Sequence, residues 1–318
     1  MAELISGKWS EKPNVSVSSE GEFIRVESHF RNTISPHEAS PDRYHLYVSY
    51  ACPWAHRTLI VLNLKKLENV ISFSVTNAIM GARGWTLGSG HELEYLANVY
   101  RGADQHYTGK ITVPVLWDNR KETIVNNESS DIIRILNSSF NSFTDSEIDL
   151  YPEFLRKEID EMNSKVYDKI NNGVYKAGFA SSQIAYDHAF KDLFDALNEI
   201  ENLLGNQPFL VGKKITEADI RLFTTLIRFD IVYYVHFKCN WRLIRDYPHL
   251  SNYLRSLYQI PEFQKTCFFD QIKEHYYKSH DWLNPNGIIP QGPEMELNTP
   301  HNRGKSEFHL TPIKKTIH

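Results

Sequence analysis

Tyr44-His45-Leu46-Tyr47-Val48-Ser49-Tyr50-Ala51-Cys52-Pro53-Trp54 is the stretch on which the fold turns. Its first half is a short, aromatic and β-branched run of the kind that favours a strand, and it stops at Ala51-Cys52-Pro53. Proline lacks the N–H that a first helical position leaves unused, and its ring holds φ near the helical value, so Pro53 suits a helix start. Trp54, Ala55, Leu59, Leu62 and Leu67 then recur at helical spacing. Ile71-Ser72-Phe73-Ser74-Val75-Thr76-Asn77 alternates as a second strand, which closes a strand–helix–strand unit of the length expected for a parallel βαβ pair.

Outward from this unit, residues 1–42 are polar and turn-rich and read as an extension wrapped over a domain, the kind of segment that often covers a site. Downstream, 78–110 is irregular, and VPVLWD (113–118) and TIVN (123–126) are two short β runs around Asp118-Asn119-Arg120. Pro114 cannot donate a ladder hydrogen bond and is expected at the end of an edge strand. Residues 128–140 carry Ile132, Ile133 and Leu136 on one helical face. From about 152 the β signatures vanish. A stripe of Phe190, Leu193, Phe194, Leu197 and Ile200 marks a helix within 186–204, and Thr216 with Asp219 three positions on predicts a capping box. The four expected segments are an extension (1–42), an α/β domain (43–142), an all-helical domain (152–284) and a proline-containing tail (285–318).

Composition narrows the function. A hydrophobic fraction of 41% and a charged fraction of 23%, with no apolar run long enough to span a bilayer, are those of a soluble globular chain of 318 residues, long enough for two domains. The start shows no export or transit pattern, and three widely spaced cysteines (Cys52, Cys239, Cys267) cannot form a disulfide framework, which points to a reducing, cytoplasmic setting. Thirty-five basic against 39 acidic residues, with no concentrated basic stretch, argue against nucleic acid. The 14 histidines include no His-Glu-x-x-His and no Cys/His cluster, so no metal is expected.

Chemistry is expected at Cys52. A cysteine between a strand and a helix sits where unpaired N–H groups and the helix dipole favour an anion, and such thiols titrate at about 3.5–7.5 instead of about 8.5. Position 55 is alanine, so no resolving partner of the Cys-x-x-Cys kind exists and the second thiol must come from outside; glutathione is the abundant small thiol of reducing cytosols. A buried cysteine that merely ends a strand is the plainer alternative, and it is the one retained for Cys239 and Cys267. Val113-Pro114 is the second element. In a thioredoxin-like domain this proline is typically cis, which frees the backbone of Val113 for the cysteinyl part of glutathione; a trans edge proline is the alternative. Glu128-Ser129 opens the next helix, where the hydroxyl, the N–H groups and the dipole suit the γ-glutamyl carboxylate and Glu128 suits its ammonium, unless Glu128 is simply a cap. His56-Arg57 either tunes the nucleophile or belongs to a solvated first turn.

YACPWAHR (50–57), Gly84-Trp85, ITVPVLWD (111–118), NESSDIIR (127–134), NNGVYKAGFA (171–180), TEADIRL (216–222), RFDIVYYVHFKC (228–239) and HYYKSH (275–280) together resemble the xi-class glutathione transferases, the glutathionyl-hydroquinone reductases, over residues 21–301. The resemblance implies a glutathione-transferase fold, α/β plus all-α: a thioredoxin-like N-terminal domain followed by an all-helical C-terminal domain, in a homodimer built mainly through the helical halves. It implies that Cys52 takes the glutathionyl group from a glutathionyl-hydroquinone and that a second glutathione releases it as the oxidised disulfide. Glutathione contacts fall on Trp85, Val113, Glu128, Ser129 and Lys110, where relatives often have arginine, whose fork a lysine lacks. The hydroquinone-facing tyrosines fall on Tyr175 and Tyr276. Two rival readings remain: an omega-type thioltransferase or dehydroascorbate reductase sharing the monothiol step, and a non-catalytic glutathione-transferase-fold module, for which a helix-start thiol has no use.

Overall fold

The computed structural model describes residues 2–10, 15–88 and 93–304; parts of the expected extension (1, 11–14) and of the expected tail (305–318) lie outside the described residues. In chain order the elements are β1 (Glu3–Ile5), β2 (Lys8–Trp9), β3 (Tyr44–Val48), α1 (Pro53–Leu64), β4 (Ser72–Val75), α2 (Leu96–Ala103), β5 (Gly109–Lys110), β6 (Val115–Asp118), β7 (Thr123–Asn126) and α3 (Ser129–Ser138). Helices follow: α4 (Arg156–Val166), α5 (Gly173–Gly178), α6 (Gln183–Asn206), α7 (Glu217–Arg228), α8 (Tyr234–His236), α9 (Pro248–Tyr258), α10 (Pro261–Gln264) and α11 (Phe269–Ser279). Contacts divide the chain into two compact units, one of Met1–Ser16, Arg25–Asp145 and Phe268–Ile289, the other of Val17–Ile24, Ser146–Cys267 and Pro290–His318.

The first unit is built on a four-stranded sheet in the order β4-β3-β6-β7. β3 runs parallel to β4, with Leu46 opposite Phe73, and antiparallel to β6, with Leu46 opposite Leu116. Successive strand residues face opposite sides, so the burial of Leu46, Tyr47 and Val48 together means that both faces of β3 are covered. β6 is an interior strand, not the edge that Pro114 suggested. The proline escapes the ladder because pairing begins one residue later, at Val115.

The helix that follows β3 starts where the sequence predicts. Ala55, Leu59, Ile60, Val61 and Leu62 are all buried, and each large aliphatic side chain contributes about 1.5–3 kcal/mol. His56, Arg57 and Thr58 are buried too, so α1 is encased nearly all round where a solvated face was one expectation. α1 packs against α3.

Two features of this unit lie outside the sequence reading: β1 pairs with β2 and β5 in a small antiparallel sheet, and α2 occupies part of the stretch read as irregular. Helix α11, placed by the sequence at the end of the helical half, clusters with the first unit instead. Three contacts fasten it there: Tyr50 stacks on Phe268 (3.8 Å between centroids), Trp85 stacks on His275 (4.7 Å), and Met80 N donates to Ser279 Oγ (2.9 Å).

The second unit is helical. Its centre is the 24-residue α6, whose Leu193, Leu197, Ile200 and Leu204 form the buried stripe. α7 begins in the expected capping box, Asp219 returning a bond to Thr216 N (2.8 Å), and Asp219 also accepts from Leu210 N (2.9 Å) and Tyr253 Oη (2.8 Å). Three residues near the C-terminal side bond within this unit: Gln259 Nε2 donates to Leu297 O and Thr299 O (both 2.8 Å), and Arg303 donates to Leu204 O and Pro208 O (both 2.7 Å) near the end of α6.

Candidate active site

Cys52 is the N-cap of α1, with extended backbone (φ −76°, ψ 122°). Its N–H closes the turn from β3 by donating to Ser49 O (3.2 Å), and its carbonyl accepts the first helical bond, from His56 N (3.0 Å). The thiol therefore stands at the N-terminal end of α1, beside its first turn. Cys52 keeps 8% of its surface, and its Sγ lies 3.6 Å from Val113 O. Burial disfavours the anion at the other two cysteines, pushing the Cys267 thiol up to about 12 and raising that of Cys239 as well.

The Val113-Pro114 peptide is cis, and no described residue accepts a hydrogen bond from the Val113 N–H. Beyond β7, Glu128 is the N-cap of α3, and its Oε1 accepts from Ser130 N and Ser130 Oγ (both 3.1 Å). Oε2 accepts from Ser28 Oγ (2.9 Å). Ser129, the first residue of α3, is buried, and its hydroxyl accepts from Arg57 Nη1 (3.3 Å). Arg57 thus ties the helix of the nucleophile to the helix of Glu128. Its guanidinium also lies over the Trp54 ring, 4.5 Å from the centroid, as does that of Arg25 at 4.7 Å.

Lys110, at the end of β5, donates from Nζ to Ser16 Oγ (3.1 Å), and partial burial pulls its ammonium below the usual lysine range despite the opposing charge of Glu3. Trp85 is buried with its ring stacked on His275. The imidazole Nδ1 of His275 lies 2.9 Å from Ala78 O; a carbonyl only accepts, so Nδ1 carries the proton. The next residue, Tyr276, is buried with its ring edge-on to His275 (5.2 Å) and His280 (5.6 Å).

Of the eight residues singled out from sequence, Cys52, Trp85, Lys110, Val113, Glu128, Ser129 and Tyr276 lie in the first unit and Tyr175 in the second. Cys52 touches Val113, Glu128 adjoins Ser129, and His275 joins Trp85 to Tyr276. Tyr175 stands in α5 directly after a π-helical turn (Tyr167–Asn171), a feature that often marks functional positions. Its ring packs with Phe23, Phe179, Tyr233 and Phe237, and a Cβ at Gly178 would overlap the Phe237 ring. Ser28 and His275 have no site role in the sequence reading, although His275 is the first residue of the HYYKSH motif, and Arg57, there left between tuning the nucleophile and a solvated first turn, is buried and bonded to Ser129.

A separate cleft of about 410 Å³ is lined by Arg31, Asn126, Asp131 and Arg134 among others, but contains none of these residues, and its Arg31 is paired with Asp131. Among the described residues no group of His, Cys, Asp or Glu could hold a metal ion, and no helix is long and apolar enough to cross a membrane.

A sheet followed by a cysteine at a helix N-cap position, a cis-proline beside that cysteine and a helical second half define a glutathione-transferase type of protein. Comparison with known proteins agrees: the family described as "Glutathione S-transferase, N-terminal domain" matches residues 51–139, and "Glutathione S-transferase, C-terminal domain" matches 183–256. The chain is 47% identical to the glutathionyl-hydroquinone reductase YqjG of Escherichia coli, over 95% of this chain and 98% of that one. It is 47% identical to the glutathionyl-hydroquinone reductase PcpF of Sphingobium chlorophenolicum, over 93% and 98%. Among solved structures it superposes on the xi glutathione transferase of Phanerochaete chrysosporium (TM-score 0.86, 47% identity, 90% of this chain and 97% of that one). It also superposes on glutathione-bound YqjG (TM-score 0.83, 46% identity, 95% and 98%). The chain belongs to the xi-class glutathione transferases, the family of the glutathionyl-hydroquinone reductases.

Proposed function

We propose that this chain is a glutathione-dependent reductase that cleaves glutathionyl-hydroquinones, with Cys52 as nucleophile. The observation that carries the reading is the Cys52 thiol at the N-cap of α1, 3.6 Å from Val113 O, in a chain 47% identical to two reductases of that name.

The Cys52 thiolate attacks the sulfur of the thioether. A sulfur–sulfur bond forms, the carbon–sulfur bond breaks, and its electron pair passes to the aromatic carbon, which takes a proton as the ring becomes hydroquinone. Cys52 is left as a mixed disulfide with glutathione. A second glutathione thiolate attacks the glutathionyl sulfur, so that oxidised glutathione leaves and Cys52 returns as thiolate. The net change is one thioether and one thiol converted to one hydroquinone and one disulfide.

In this reading Val113 pairs with the cysteinyl part of glutathione, Glu128 and Ser129 take the γ-glutamyl end, and Lys110 offers a cation to a carboxylate. Trp85 forms a wall, with His275 behind it. Tyr175 and Tyr276 are the phenolic donors to the hydroquinone ring. A cytoplasmic homodimer is the form in which the enzyme works. Turnover of a glutathionyl-hydroquinone should exceed that of a glutathione mixed disulfide; the reverse order would favour an omega-type thioltransferase. A Cys52→Ser protein that kept its activity would remove the reading altogether.

A further inference from the structure

Residues 28–32 run antiparallel beside the edge of β7: Asn32 N donates to Val125 O (3.0 Å), Arg31 bridges to Asn126, and Asn127 N donates to Phe30 O (3.0 Å). The Asn127 side chain completes the pairing by accepting from Phe30 N (3.0 Å). Two further contacts pin the register, the Phe30 ring stacked on Tyr107 (5.7 Å) and the Arg31 guanidinium on the Asp131 carboxylate (Nη2 to Oδ1, 2.9 Å).

This register delivers one hydroxyl to the Glu128 carboxylate. Ser28 Oγ stands 2.9 Å from Glu128 Oε2 and 3.4 Å from Asn127 O. A hydroxyl has a single proton, and the shorter contact is to a charged acceptor, so the bond to Oε2 is the stronger of the two. The two oxygens of Glu128 are thereby held from different sides. Oε1 is bound to its own helix through Ser130, while Oε2 is bound by a residue a hundred positions earlier in the chain. Without Ser28 the carboxylate would be held through Oε1 alone, by Ser129 and Ser130 of its own helix, and its Oε2 would meet an incoming ammonium less closely fixed.

We propose that Ser28 is a positioning residue for the γ-glutamyl end of glutathione, acting by orienting Glu128 toward the ligand ammonium. The proposal rests on the reading of Glu128 given under the proposed function. It gives the extension a role in the affinity and selectivity of the site, since Ser28 discriminates ligands that carry a γ-glutamyl group from those that do not.

The test is calorimetric titration of the full-length wild type, Ser28→Ala and Ser28→Thr with three thiols: glutathione, γ-glutamylcysteine and cysteinylglycine. The Ser28→Ala variant should bind glutathione and γ-glutamylcysteine roughly tenfold more weakly, the scale of one hydrogen bond to a charged group, and cysteinylglycine unchanged. Its KM for glutathione should rise by a similar factor while kcat falls by less, and Ser28→Thr, which keeps the hydroxyl, should restore binding to within about twofold. If the wild type prefers glutathione to cysteinylglycine but Ser28→Ala binds as the wild type does, the role of Ser28 is wrong and the reading of Glu128 survives. Equal weakening of all three ligands would mean a general disturbance of the fold and would likewise overturn the role. A wild type that binds cysteinylglycine as tightly as glutathione would remove the reading of Glu128, and the role of Ser28 with it.

Discussion

Asp219 offers a stability prediction whose size can be worked from the structure. Its carboxylate is buried at the start of α7 and accepts four hydrogen bonds: from Leu210 N and Tyr253 Oη on one oxygen, and from Thr216 N and Thr216 Oγ1 on the other. Burial raises its pKa, so the site already carries a desolvation cost that the four donors offset. Replacing Asp219 by Ala strands two backbone N–H groups and the Tyr253 hydroxyl in a dry interior, each at about 1–3 kcal/mol, while relieving the cost of the buried charge. The expected net loss is about 3–6 kcal/mol, a large part of the 5–15 kcal/mol that holds a typical domain together. Asp219→Asn keeps one accepting oxygen but points an amide N–H₂ at Thr216 N, so it should fall between the wild type and Asp219→Ala. Urea unfolding followed by far-ultraviolet circular dichroism, which reads the helical unit, ranks the three proteins. An Asp219→Ala midpoint equivalent to a loss below about 1 kcal/mol would refute the reasoning, because it would mean that the stranded donors find other partners at no cost.

Three further outcomes follow from the site and its surroundings. Burial lowers the pKa of His236 to about 4, so the folded chain stays unprotonated there while the unfolded chain gains a proton below about 6.5. That contribution is full above pH 6.5 and is lost as pH falls toward 4, on the order of 3 kcal/mol; Asp230, raised by burial to about 6, works the opposite way across nearly the same window. The observable is therefore the difference between wild type and His236→Gln in urea unfolding, which should grow as pH falls and would contradict the assignment if constant. Lys110→Arg should lower the glutathione Kd about two- to fivefold and hold that affinity further into the alkaline range, since a guanidinium grips a carboxylate with two bonds and the lysine loses its charge early. An unchanged Kd and pH profile would take Lys110 out of the site. Tyr175→Phe and Tyr276→Phe should slow thioether cleavage more than resolution of the mixed disulfide in single-turnover experiments, and equal slowing of both steps would count against their role as donors to the ring.

Much of this arrangement was readable before any coordinates, because the decisive signals are local. Cys52-Pro53 marks a strand–helix junction through the chemistry of proline alone, and Thr216 with Asp219 marks a helix start through a three-residue spacing. Glu128 and Ser129 were legible as a helix opening for the same reason. The small sheet of β1, β2 and β5 was not, since strands of two or three residues are too short to show alternation. Helix α2 was hidden for a related cause: eight residues, one of them Gly102, supply barely two turns of pattern. The interior placement of β6 is not legible because the VPVLWD run sets Pro114 inside the strand, whereas the proline stands just before the first paired residue. Contacts that reach across the chain leave no local trace. Ser28 meets Glu128 from 100 positions away, His275 meets Ala78 from 197, and neither contact can be inferred from spacing.

The sharpest experiment follows the fate of a single glutathionyl group. Full-length protein is mixed with a glutathionyl-hydroquinone in the absence of free glutathione, quenched, and analysed for released hydroquinone and for intact and peptide mass. One hydroquinone should appear per protein, with one glutathionyl group on the peptide that contains Cys52, and added glutathione should discharge it as the oxidised disulfide. Hydroquinone released at the wild-type rate by Cys52→Ser, or turnover with no adduct on Cys52, would contradict the account.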